Sequence, residues 1–165
     1  MIKMKDQDRD VLARFDTIWA RVQPEHTAAQ AVESAPDNVQ TLRLMIDQTA
    51  AAAKVLTALA HREPCHAARL RALSCGRTIM VRQMQGAYYL LTGKKCVPGA
   101  SCAVRHESTA CLRCLWLASR NQAAHARRYA QATDEPLLQT LYTELADLLD
   151  DQGAAIQEII CAMLG

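Results

Sequence analysis

The chain has 165 residues, half of them hydrophobic but only 4 % aromatic, with 19 basic against 17 acidic side chains. That length suits one compact domain with a sizeable core, and a preference for Ala, Leu, Ile, Val and Met over aromatics favours helices over sheets. The even mixture of charges excludes the basic stripe that nucleic acid demands, and no apolar run approaches the roughly 18 residues of a membrane span.

In chain order, the first element is a short amphipathic helix over residues 1–23, with Val11, Leu12, Phe15, Ile18, Trp19 and Val22 on one stripe. Its polar face mixes Asp10, Asp16, Arg14 and Arg21, which suits docking onto the rest of the chain or onto a partner subunit better than lying on a membrane. Residues 24–36 (PEHTAAQAVESAP) read as a linker. Four long segments follow over 37–165, each repeating an apolar residue every three or four positions.

The first long helix aligns Leu42, Ile46, Thr49, Ala53, Leu56 and Ala60, with Asp37 or Asn38 to cap it and Pro64 to end it. The second opens near Pro64, aligns Leu70, Leu73, Met80, Met84, Ala87 and Leu91, and stops at Gly93. The third starts near Glu107 and aligns Leu112, Leu115, Trp116, Ser119, Ala123 and Ala126. The fourth follows Asp134-Glu135-Pro136 and aligns Leu138, Leu141, Leu145, Leu149, Gln152, Ile156, Ile159 and Met163. Helices of about 25 to 30 residues, near 40 Å each, predict an all-α four-helix bundle.

Connection lengths choose the topology. Arg62 and Glu63 separate the first two helices, and Thr133 and Asp134 the last two, so each pair forms a tight antiparallel hairpin. Between them, Gly93 to His106 lacks helical periodicity and reaches up to roughly 45 Å, enough to run the length of a bundle. Two hairpins joined by one long crossover make a ferritin-like arrangement.

With those elements placed, the words GAYYLLTGKK (86–95), PLLQTLYTELADLLDDQGAAI (136–156) and IWARVQP (18–24) make the chain similar to the ferritin-like, rubrerythrin-related proteins of anaerobic bacteria. The resemblance implies a di-iron centre in mid-bundle, with a Glu from each of two helices and Glu-x-x-His from each of the other two. The positions where those ligands would fall are instead Thr49, Arg77, Met80, Ser119, Leu149 and Gln152. None is a carboxylate, and hard anionic oxygens are what two divalent cations require. Asp47, Asp147 and Asp150 lie off the apolar stripes. The one literal Glu-x-x-His, Glu63 to His66, contains a proline at a helix mouth. Two readings of Arg77 stand: its stem packs while the guanidinium snorkels outward, or it occupies the vacated charge site, bonded to Ser119 or Gln152.

The polar start MIKMKDQDRD is no signal peptide, so the chain reads as cytoplasmic and its seven cysteines as mostly reduced thiols or metal ligands. Cys96, Cys102, His106, Cys111 and Cys114 crowd the crossover. Three readings stay open for them: a tetrahedral zinc set, a thiol-redox pair at Cys111 and Cys114 on the first turns of the third helix, or small side chains in an Ala-rich bundle. Cys75 and Cys161, isolated within helices, are expected to pack as small hydrophobes. His61, His66 and His125 are expected at the surface.

The function expected is therefore a non-catalytic binding or structural bundle that has lost its iron, with no cofactor at its centre. Its partners would be a second copy in a homodimer or another protein met through the N-terminal helix. The alternative is a metal or thiol-redox protein working from the crossover. An intact di-iron peroxidase or oxidase is the third reading, and the missing carboxylates oppose it.

Overall fold

The computed structural model describes residues 37–99 and 107–165. The expected N-terminal helix and linker, and with them Cys102 and His106, lie outside the described residues. Among those described there are four long helices and no strand: α1 Asn38–Arg62, α2 Ala67–Thr92, α3 Ser108–Ala132 and α4 Pro136–Leu164. No helix among them is long and apolar enough to cross a membrane.

The helix ends follow local chemistry. Asp37 caps α1, its Oδ1 accepting from the backbone N–H groups of Val39 at 3.0 Å and Gln40 at 3.3 Å. Pro64 does not open α2 directly. It begins a single 3-10 turn, Pro64–His66, and α2 proper starts at Ala67. Gly93 stops α2 with φ at +67° while its N–H reaches the Tyr89 carbonyl at 2.8 Å, a left-handed cap that favours glycine. Pro136 sits in the first turn of α4, where its missing N–H costs nothing.

Each hairpin packs along its length, α1 on α2 and α3 on α4, and the hairpins meet through α2 with α4 and α1 with α3. The apolar interior falls into two clusters. The first draws Leu42, Met45 and Ile46 from the start of α1, Met84, Ala87 and Tyr88 from the end of α2, Ala126 and Ala130 from the end of α3, and Leu138, Leu141 and Leu145 from the start of α4. The second joins Leu56 and Leu59 of α1, Leu70 of α2, Leu112 and Leu115 of α3, and Ile156 and Ile159 of α4.

The apolar stripes read from the sequence are the buried faces, with four exceptions: Leu91 is exposed, and Leu73, Trp116 and Met163 are half-buried. Two thiols correct the reading outright: Cys75 and Cys161 are exposed rather than packed. Each lies two residues from a fully inward side chain, Arg77 and Ile159 respectively, and two residues turn a helix by about 200°, onto its far face.

Candidate functional site

A polar belt lies across the bundle between the two apolar clusters. Arg77 is 1 % exposed, the only charged side chain buried among the described residues. Its Nε donates to Oε1 of Gln152 at 2.7 Å, and its Nη2 donates to Oγ of Ser119 at 2.7 Å. Of the two readings of Arg77, the inward one holds, and the guanidinium bonds both Ser119 and Gln152. The acceptors are themselves fixed: the Ser119 hydroxyl donates to the Leu115 carbonyl at 2.6 Å, and Nε2 of Gln152 to the Leu73 carbonyl at 3.0 Å.

Neutral acceptors do not cancel a charge. Burial pulls the Arg77 pKa down to about 10, so the side chain remains a cation at neutral pH, held in place at a desolvation cost on the order of 3 kcal/mol.

Glycine makes the arrangement fit. A Cβ built on Gly76 would stand 3.0 Å from Nε2 of Gln152 and 3.6 Å from Leu148. The bare backbone of α2 at that point lets the Gln152 amide lie against it, donating to one residue of α2 and accepting from another.

A second strand of the belt joins α1 to α3. Nε2 of Gln122 donates to Oγ1 of Thr49 at 2.8 Å, and the Thr49 hydroxyl donates to the Met45 carbonyl at 2.7 Å. Sequence reading missed Gln122. It lies between Ser119 and Ala123 on the inward face of α3, and that placement was the available signal. Within the first hairpin, the Ser74 hydroxyl donates to the Ala53 carbonyl at 2.8 Å and lies 2.8 Å from that of Thr57.

All six positions where the resemblance would put iron ligands are buried: Thr49, Arg77, Ser119 and Gln152 in the belt, Met80 and Leu149 in the first apolar cluster. No carboxylate is buried among the described residues. The off-stripe acids are engaged at the surface instead. Asp47 accepts from the Gly99 N–H at 2.8 Å, and Arg127 pairs with Asp150 and, at 3.9 Å, with Asp147. The interior therefore does not fit a pair of iron ions, because a fixed guanidinium stands where anionic oxygens would be needed.

The thiols part company as well. Cys96 is buried in the first apolar cluster, with its carbonyl accepting from Nε2 of Gln85 at 2.8 Å, whereas Cys111 packs against the second cluster. Cys114 is exposed. Cys96 is thus set apart from Cys111, while Cys111 and Cys114 stay one turn apart on α3. Among the described residues, no three His, Cys, Asp or Glu side chains gather to hold a metal ion. Burial and the nearby Asp47 carboxylate push the Cys96 thiol up, with Arg43 opposing.

At the surface, an open recess of about 480 Å³ runs between α1 and α2, with Ala50, Ala53, Ser74 and Val81 beneath it and Lys54 and His61 at its rim. His125 is half-buried and meets the Tyr129 ring edge-on, 6.3 Å between centroids. Comparison of the chain with protein-family models, with curated proteins and with solved structures returns no match.

Proposed function

We propose that the chain is a ferritin-like, rubrerythrin-related bundle that has lost its di-iron carboxylates and serves as a non-catalytic binding or structural protein. The observation that carries this reading is the interior itself, where Arg77 is buried and no carboxylate is, among the described residues. The two clusters support the ferritin-like path. The end of α2 and the start of α3 belong to different clusters, which is the placement that a crossover along the bundle calls for. Exposed Cys65, Cys75, Cys114 and Cys161 are in keeping with a reducing cytoplasm. A second copy or another protein is the partner this reading calls for.

Metal analysis tests it. Protein purified without chelator and then offered ferrous iron anaerobically is expected to retain no stoichiometric iron and to show no peroxide turnover. Uptake of an iron pair per chain would overturn the reading.

A further inference from the structure

Among the described residues, the side-chain hydrogen bonds that join the α1–α2 hairpin to the α3–α4 hairpin within the interior gather in one belt: Arg77 to Ser119 and Gln152, Gln152 to Leu73, and Gln122 to Thr49 and Met45. A longer one at 3.3 Å joins Thr133 to Asn38 at the bundle end. Away from the belt the hairpins meet through hydrocarbon: a first cluster that carries Ala50, Ala123, Ala126, Ala130 and Ala146, and a second made mostly of leucine and isoleucine. Hydrocarbon contact is non-directional, so it separates neighbouring registers less sharply than hydrogen bonds of fixed length and angle.

We infer that this belt is the device that selects one register of hairpin pairing. A slide of one helical turn moves α3 and α4 by about 5.4 Å, which no 2.7 Å hydrogen bond survives. It also changes what Arg77 faces. Four residues either way from Gln152 stand Leu148 and Ile156, and four either way from Ser119 stand Leu115 and Ala123. A slipped bundle would therefore bury the guanidinium against hydrocarbon with nothing to accept from it, and a buried charge without partners is among the costliest groups a fold can hold. Hydrocarbon contacts that are lost can be replaced in part by others, whereas the guanidinium has no second set of acceptors, so the sharpest discrimination comes from the belt. Gly76 belongs to the same device, since only there does α2 let the Gln152 amide close in.

Register can be trapped at the surface. Arg69 of α2 and Glu158 of α4 lie against each other in the native pairing, 2.5 Å between Nη2 and Oε2. Arg69→Cys combined with Glu158→Cys reports that register, and Arg69→Cys combined with Ala154→Cys or Ala162→Cys reports a slip of one turn. Bridges are made with a short bismaleimide, whose span reaches across the separation of an Arg–Glu pair, and are located by peptide mass spectrometry, which separates them from bridges to native thiols. With the belt intact, only the 69–158 pair is expected to close. With Arg77→Met and Gln152→Leu added, cooperative thermal unfolding is expected to persist while the 69–154 or 69–162 pair closes at a comparable rate. Closure of the 69–158 pair alone in both backgrounds would overturn the inference. Loss of cooperative unfolding in the belt variant would overturn it too, since the belt would then supply stability rather than register.

Discussion

The Arg77 guanidinium and the Ser119 hydroxyl meet at 2.7 Å although α2 and α3 are not packed neighbours, each lying instead against α1 or α4. One long side chain crosses the middle of the bundle to make that contact. Removing its acceptor tests how much the contact is worth. Ser119→Ala leaves an Nη2 donor of a buried cation unmatched and is expected to destabilise the fold by about 1–3 kcal/mol in urea unfolding. An unchanged midpoint would mean that water reaches the guanidinium.

Two glycines in one helix make a matched pair of predictions. An added Cβ at Gly86 meets nothing within 4 Å, so Gly86→Ala is expected to raise stability by about 0.5–1 kcal/mol through helix propensity. Gly76→Ala carries the same propensity gain but displaces the Gln152 amide and loosens its bond with Arg77. It is expected to lower the melting temperature, and equal gains at both sites would contradict the close packing at Gly76.

Tyr142 is 1 % exposed, and its hydroxyl makes no hydrogen bond. Burial, with Tyr129 beside it, pushes its pKa well up. A buried hydroxyl without a partner costs on the order of 1–3 kcal/mol, so Tyr142→Phe is expected to be neutral or stabilising by about 1 kcal/mol or more. Thermal unfolding at neutral pH checks it, and a clear loss of stability would reveal a partner for the hydroxyl.

The pH response of Arg77 has a definite sign. Its folded pKa, about 10, is below its unfolded one, so the unfolded chain binds the proton more tightly between the two. The desolvation cost is present in full below about pH 10 and is relieved as pH climbs beyond it. Tyrosines titrate in the same range, so the measured quantity is the stability difference between the wild type and the Arg77→Met, Gln152→Leu variant. Any advantage of the variant is expected to shrink as pH rises past about 10. A difference that stays flat would place the guanidinium in contact with solvent.

The sequence carried the helices because period and punctuation agree. Asp37 before α1, Gly93 after α2 and Pro136 at the head of α4 mark three of the four. The inward register of Thr49, Ser119 and Gln152 was legible for the same reason, since each continues an apolar stripe, whereas for Arg77 the sequence left an inward and an outward reading open. Gln122 was not, because a glutamine beside an asparagine reads as surface until the opposing Thr49 is in place. The unpartnered hydroxyl of Tyr142 escaped notice because tyrosine on an apolar face looks like ordinary packing. The thiols were misjudged where only angle decides. Cys75 and Arg77 lie two residues apart, and the larger, charged one takes the interior.

A belt that separates two clusters also divides the molecule crosswise, with all four helices contributing to each half. Fraying then need not peel away a helix. It can open one end of the bundle while the other stays closed, so the boundary between early- and late-exchanging amides would cut through the middle of every helix. Cys96 is built into one half and Cys111 rests against the other. Cys96, the one buried thiol among the described residues, is thus a native reporter on the opening of its own half.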